Sequence, residues 1–192
     1  MSRSIAADGL KQGSVDLQHD LDATLAFLRT NAVGDDHITV APLAITPTCG
    51  GNGGFYDGKS CGPNPVTGFT LSQGITVESP KVTEVTGVSQ LAGTKLPGAG
   101  ILFTTDSLEY YYSKLSDLKL DMLTDATTNA RNRADKIASS TGRNLGVLQS
   151  ANMGVFQVTA VNSTDISDYG TYDTASIQKN VTGVLHAAFS LK

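Results

Sequence analysis

One stretch of this 192-residue chain matches a pattern that binds phosphate. Residues 53–60 read Gly-Gly-Phe-Tyr-Asp-Gly-Lys-Ser, which fits the GxxxxGK-Ser/Thr expression of P-loop nucleotide-binding proteins. That chemistry requires a helix that begins at the Lys-Ser pair, because the N–H groups of a helix N-terminus hold the phosphates. The next residues here are Cys61-Gly62-Pro63-Asn64-Pro65, and two prolines at these positions oppose a helix. We therefore interpret the match as a coincidence in a glycine-rich loop, and we expect no cofactor.

The two cysteines bracket this same loop. Cys49 and Cys61 are the only cysteines of the chain, and a glycine-rich segment between a lone pair of cysteines favours a disulfide that closes the loop. Closing a ring of this size stabilises the fold by about 3 kcal/mol on a chain-entropy argument. A disulfide indicates an oxidising compartment, whereas the alternative is two free thiols in a reducing one. A metal site is not expected, because two thiolates without a nearby histidine fall short of four ligands.

Acidic and imidazole side chains are candidate binding groups. Three aspartates recur every four residues near the start of a predicted helix: Asp117, Asp121 and Asp125. A cation site is one interpretation, and a solvated face that favours the helix N-terminus is the simpler one. Three histidines fall on three different predicted elements: His19, His37 and His186. This separation favours solvated or interface histidines over a catalytic or metal cluster.

A tyrosine cluster completes the candidate groups. The chain reads Glu109-Tyr110-Tyr111-Tyr112, and on a strand Tyr110 and Tyr112 share one face. That face would suit a sugar or protein contact, although cross-strand packing of tyrosines is the commoner arrangement. No GxSxG nucleophile elbow occurs, and no acid/base pair, nucleophile or metal set converges in the sequence. We therefore expect no catalytic residues and no enzymatic activity.

Size and charge limit the possible organisation and partners. The chain has a mass of 20.0 kDa with 40% apolar and 17% charged residues, which favours one globular domain over residues 1–192. A net charge of −4 without a basic cluster argues against nucleic-acid partners. No apolar run approaches the roughly 20 residues of a membrane span. Met1-Ser2-Arg3-Ser4 leads into polar sequence, so we expect a signal segment to have been removed or to lie upstream.

Hydrophobic periodicity predicts three helices. The first, stopped at Gly34, has an apolar stripe of Leu10, Leu17, Leu21, Leu25, Leu28 and Ala32. A short second helix begins at Ser79-Pro80 and runs through Leu91, followed by a turn at residues 96–100. A long third helix is capped by Ser113 and ends at Gly142. Its stripe comprises Leu115, Leu118, Met122, Ala126, Ala130, Ala134 and Ile137.

Alternating apolar and polar residues predict the strands. These occupy residues 38–45, 69–78, 101–104, 108–112, 147–158 and 177–191. Pairs of half-buried strands between helices predict an α+β fold with a largely antiparallel sheet and helices on one face. The unit helix-strand-strand recurs, and the long helix lies in the C-terminal half.

Three stretches of the second half also carry a family resemblance. They are residues 130–142, residues 146–157 and residues 167–191, the last with Ser167-Asp168-Tyr169-Gly170, Asp173-Thr174-Ala175-Ser176-Ile177 and Lys179. Phe27-Leu28 before residues 34–38, and Gly68-Phe69, fit as well. Together these stretches resemble the SIMPL-domain family. Two features depart from it: a first strand that looks truncated at residues 1–7, and the Cys-bracketed loop at residues 47–66.

The resemblance implies an α+β domain of the bacterial periplasm or cell envelope, often described only as being of unknown function. Relatives include periplasmic immunogenic proteins that form ring-like or channel-like oligomers, proteins linked to oxidative stress, and an animal kinase-binding adaptor. The resemblance implies no active-site residues. We therefore expect a non-enzymatic, periplasmic or secreted envelope protein that assembles as a homo-oligomer, with a stress-related role. The alternative is a monomeric adaptor that binds a protein or ligand.

Overall fold

The computed structural model describes residues 1–51, 61–62 and 64–192, so the P-loop match at residues 53–60 lies outside the described residues. The helices are α1 (Leu10–Thr30), α2 (Val82–Gly98) and α3 (Leu115–Ser140). The strands are β1 (Ser2–Ala6), β2 (Ile38–Val40), β3 (Ala44–Cys49), β4 (Val66–Ser72), β5 (Ile75–Val77), β6 (Leu145–Met153), β7 (Gln157–Ala160), β8 (Lys179–Thr182) and β9 (Leu185–Leu191). The predicted α+β class with antiparallel strand pairing is confirmed.

The strands form several small sheets, because the long predicted strands are interrupted. Their orders are β1-β4-β3, β2-β5, β6-β9 and β7-β8. Gln73-Gly74 separates β4 from β5, and Gly183-Val184 separates β8 from β9. Pro42 lies in the break between β2 and β3. Glycine and proline weaken a strand interior, which explains why runs predicted as single strands are divided.

Two predicted strands are wrong: residues 101–104 and 108–112 belong to no strand. Leu102 O accepts a backbone hydrogen bond from Ser2 N at the end of β1, and Tyr110 N donates one to Thr174 O. An isolated bond of this kind places a segment beside its neighbour without the repeated ladder that defines a strand pair. The alternating side chains therefore reflect local packing; for instance, Ile101 is buried and Leu102 is exposed.

Several helix boundaries also differ from the prediction. Helix α1 ends at Thr30, and Ala32, not Gly34, adopts the left-handed conformation. Helix α2 begins at Val82 and continues through the predicted turn to Gly98. Helix α3 begins at Leu115 without a side-chain cap, so the predicted Ser113 cap is wrong. Gly142 has a φ of +74° and closes the end of α3 as predicted, with Arg143 N donating to Ala138 O.

The chain divides into two compact units, Met1–Asp106 and Ser107–Lys192, and each is described by itself. The single domain over residues 1–192 stays a prediction. In the first unit, the α1 stripe is buried at Leu17, Leu21 and Leu28. Phe27 packs against two apolar clusters among the described residues of this unit, one around Val33 and Val88 and the other around Ala92, Leu96 and Ile101.

The second unit has a much thinner core. Helix α3 packs on β9 and β6, and most of its predicted stripe is only half-buried. The prediction that the stripe ends at Ile137 is wrong: Ile137 is 67% exposed, and Ala138 is buried instead. A helix on a two-stranded sheet shields one narrow line of side chains, which explains this limited burial.

Arg3 ties the first strand to the first helix through an ion pair with Asp20 and a longer one, at 3.9 Å, with Asp16. Residues 1–7, where the sequence predicts a partial strand, contain β1, which pairs with β4 along its whole length. The Arg3 guanidinium donates from Nε and Nη2 to the two oxygens of Asp20 at 2.7 and 2.8 Å. Asp20 is only 4% exposed. The hydrogen bond to Asp20 raises the pKa of Arg3 above its ordinary value, despite partial desolvation.

We predict that Arg3→Ala lowers the free energy of unfolding by about 2–3 kcal/mol, because it leaves the buried Asp20 carboxylate without its partner. Urea unfolding followed by circular dichroism measures the change. Arg29→Ala is the control, since it removes the exposed pair Arg29–Asp35 and should cost less than about 1 kcal/mol. Equal losses in the two variants would show that Arg3 acts only as a surface charge.

Candidate functional site

The structure joins Cys49 and Cys61 in a disulfide. Cys49 is the last residue of β3, and Cys61 is buried. Just beyond the bond, Gly50 N donates to Pro65 O, so backbone pairing between the two arms continues past the end of the strand. The disulfide therefore fixes both ends of the glycine-rich loop against the β3–β4 pair.

The acidic and histidine candidates remain dispersed. Asp117, Asp121 and Asp125 are exposed on α3, and His19 and His186 are exposed as well. His37 Nε2 lies 3.7 Å from Asp36 Oδ2. Within the described ranges, no three His, Cys, Asp or Glu side chains lie close enough together to hold a metal ion. The same part of the chain contains no helix that is long and apolar enough to cross a membrane.

A small cleft of about 230 Å³ lies beside His37 in the first unit. Its ionisable lining residues are Asp36, His37, Lys81 and Glu84. Lys81 Nζ contacts Glu84 Oε2 at 3.1 Å, while His37 faces Asp36. These four side chains therefore contact one another in pairs within the lining.

The tyrosines form a contact different from the predicted one. Because residues 108–112 are not a strand, Tyr110 and Tyr112 do not present a common strand face. Tyr111 instead stacks on Tyr172, with 6.0 Å between ring centroids and 23° between the ring planes. Together with the hydrogen bond from Tyr110 N to Thr174 O, this stack attaches the segment before α3 to the loop between β7 and β8.

That loop, residues 161–178, is held by side chains of the two strands that it connects; we call it the anchored loop. Gln157 on β7 donates from Nε2 to Ser167 O at 2.8 Å. Its Oε1 accepts from Thr171 N at 2.9 Å and from Ser167 N at 3.4 Å. One amide side chain thus satisfies three backbone groups of the loop, as a neighbouring strand would.

Lys179 on β8 holds the other half of the anchored loop. Its side chain is 7% exposed, and Nζ donates to Asp173 O at 2.6 Å and to Ser176 O at 2.5 Å. It also lies 3.4 Å from Asp173 Oδ2. Lysine is rarely buried without partners, so this arrangement stabilises the fold only while the loop keeps its conformation.

Asp173 is the charged partner within the loop. Its carboxylate accepts from Ala175 N at 3.0 Å and from Ser176 N at 3.2 Å. Burial by itself would raise the pKa of Asp173, but the hydrogen bonds from Ser176 and Ala175 and the charge of Lys179 outweigh it. The net pKa is therefore lowered.

The anchored loop presents apolar side chains to solvent. Within residues 165–169, which we call the tip, Ile166 is 82% exposed and Tyr169 is 97% exposed. Asp165 and Asp168 are also exposed, and each directly precedes one of these two side chains in sequence. An ordered loop that exposes large apolar groups is characteristic of a contact surface.

An apolar groove lies in the same unit. It has a volume of about 480 Å³ and is formed by α3 and the β6–β7 connection. Its main apolar walls are Leu120, Leu123, Met153 and Phe156. Lys119 is its charged lining residue, with Nζ 5.6 Å from the centroid of the Phe156 ring.

Gly183 provides the space in which two of these walls pack. A Cβ atom added to Gly183 would lie 2.7 Å from Met153 Cε and 2.9 Å from Phe156 Cε1. Any larger residue would therefore displace Met153 and Phe156. The break between β8 and β9 at this glycine allows the two side chains to form the groove.

Sequence reasoning assigned no role to Gln157 or Lys179, although both fall in stretches that carry the family resemblance. The sequence feature that could have indicated this role is the position of Lys179, which lies on the apolar face of the predicted strand 177–191. A charged residue at such a position must find partners within the fold.

We predict that Lys179→Met, which keeps most of the side-chain length but removes the ammonium group, loosens the anchored loop. The variant should lose about 2 kcal/mol of local stability, because the Asp173 and Ser176 carbonyls lose a charged donor. Hydrogen exchange of residues 163–176 measures the loss. Lys136→Met is the matched control, since Lys136 is exposed on α3. Unchanged exchange in Lys179→Met would contradict the anchoring role.

We also predict an acid-sensitive contribution from Asp173. Because its folded pKa lies below the ordinary value of 3.8, its stabilisation is complete above that value and is lost as the pH falls through the folded pKa. The urea midpoint should therefore drop more in wild type than in Asp173→Asn between about pH 5 and about pH 2.5. Asp135→Asn, at an exposed position of α3, is the control. Parallel curves for wild type and Asp173→Asn would refute the assignment.

Comparison with known proteins identifies the family of this chain. No curated protein matches the chain. A family model matches residues 7–182, and its description is SIMPL, protein of unknown function (DUF541). The match includes α1, all of α3, Gln157, Asp173 and Lys179. The chain therefore belongs to the SIMPL family.

Proposed function

We propose that this chain is a non-enzymatic extracytoplasmic protein that works by binding further copies of itself through the unit Ser107–Lys192. The observation that carries the proposal is the exposure of apolar side chains in this unit. Of residues 107–192, all of which are described, only Ala138, Val158 and Thr159 are buried. Leu120, Ile137, Val147, Ile166, Tyr169, Ile177, Val184 and Leu191 are each more than half exposed.

So much exposed apolar surface favours association over a free monomer. Burial of apolar surface contributes about 25 cal/mol per Å² to association. The resemblance to envelope proteins that assemble supports self-association as the form of that contact. The stress-related role that the resemblance implies stays a prediction.

The disulfide supports an extracytoplasmic location for the protein. A Cys49–Cys61 bond is stable in an oxidising compartment and would be reduced in most cytosols. The disulfide agrees with a periplasmic or secreted location. Protein isolated under alkylating conditions with both thiols reduced would contradict that location.

The alternative function, a monomeric adaptor, is favoured by the groove, whose volume lies within the range of ligand-binding sites.

We predict that the purified chain forms a discrete oligomer. Size-exclusion chromatography with light scattering, repeated over a series of protein concentrations, should give a mass that is an integer multiple of 20.0 kDa. Dithiothreitol provides a control, since reduction should open the Cys49–Cys61 loop without dissolving contacts made by residues 107–192. A mass of 20.0 kDa at every concentration would overturn the proposal and favour the monomeric adaptor.

A further inference from the structure

We propose that the tip of the anchored loop in one copy occupies the apolar groove of a second copy. This inference rests on the proposed function, because it requires self-association, and it names the contact. Both surfaces lie within Ser107–Lys192. The chain thus carries a protruding apolar segment and a groove that can receive it.

The tip is held in shape before any partner binds. Gln157 bonds to both N–H and C=O of Ser167, the central residue of the tip, and Tyr169 N donates to Ser167 Oγ at 3.3 Å. Ile166 and Tyr169 therefore extend from an ordered backbone. An ordered loop loses little conformational entropy on binding, so more of the contact energy appears as affinity.

The two surfaces match in polarity. Tyr169 and Ile166 offer large apolar area, and tyrosine is enriched at the energetic centres of protein interfaces. The groove offers Leu120, Leu123, Met153 and Phe156, with Leu120 itself 65% exposed. An open apolar groove of about 480 Å³ has room for protruding side chains of this size.

The two surfaces also match in charge. Asp165 and Asp168 bring two carboxylates to the tip, while the charged residue of the groove lining is Lys119. Asp117 and Asp121 lie two positions from Lys119 on α3, and residues two apart on a helix point in different directions. Opposite charges at the tip and the groove edge favour this pairing over contact between two tips or two grooves.

The test uses two variants at exposed positions, so that neither is expected to unfold the protein. Tyr169→Ser removes the main apolar side chain of the tip, and Leu120→Asp places a carboxylate in the groove opposite those of the tip. Each variant alone should self-associate at least about tenfold more weakly than wild type. Tyr112→Ser and Leu91→Asp are matched controls, because both side chains are exposed and lie outside the tip and the groove, and both variants should keep the wild-type mass.

Mixing the two variants separates this contact from a general loss of stability. Tyr169→Ser retains an intact groove and Leu120→Asp retains an intact tip, so an equimolar mixture should form mixed dimers. Native mass spectrometry distinguishes these dimers by the different masses of the two copies.

A charge exchange adds a second readout: Lys119→Glu should weaken assembly, and adding Asp168→Lys should restore part of it.

Failure of this inference is distinguishable from failure of the proposed function. A monomeric wild type overturns both. An oligomeric wild type that is unaffected by Tyr169→Ser and Leu120→Asp overturns only the tip–groove contact, as does a mixture that yields no mixed dimer. A small-molecule adduct that wild type carries and Leu120→Asp lacks, without a change in oligomer mass, would assign the groove to a ligand instead.

Discussion

The desolvation of one ammonium group governs the architecture of the second unit. Lys179 places its Nζ out of solvent on β8, where each donor must find an acceptor within the protein. The acceptors are the carbonyls of Asp173 and Ser176 and the Asp173 carboxylate, all from the loop. The loop between β7 and β8 therefore has a defined conformation although it contains few apolar contacts of its own, and Gln157 fixes its other half in the same manner.

The two units are stabilised by different means. In Met1–Asp106, leucines of α1 are buried, apolar clusters form around Phe27, and Arg3 binds the buried Asp20. In Ser107–Lys192, polar anchoring replaces much of the apolar core, and large side chains remain in solvent. Apolar surface left exposed in this way is available to a partner, which connects the thin core of the unit to its proposed role in assembly.

Much of the fold could be predicted, and the errors have identifiable causes. The α1 stripe, the Gly142 stop of α3 and the alternation along residues 179–189 follow from local geometry, and the structure shows all three. The strands predicted at residues 101–104 and 108–112 failed because a ladder requires a partner at matching register, which alternation does not reveal. The candidate site was harder to predict, because Gln157 and Asp173 are ordinary polar residues in the sequence. Their roles depend on contacts that form only when the anchored loop folds against the strands.

The sequence by itself determined the three helices, most of the strand segments, the antiparallel α+β class and the membership of a family. These features could be predicted because helix and strand periodicity, helix-ending glycines and the stretches typical of the family each depend on residues that are close together in sequence. Tertiary structure alone decided that Tyr111 stacks on Tyr172, that Gly183 leaves room for Met153 and Phe156, and that Lys179 is enclosed by its own loop. These contacts join residues whose proximity depends on strand register and loop path, and such long-range geometry has no signature within a short stretch of sequence.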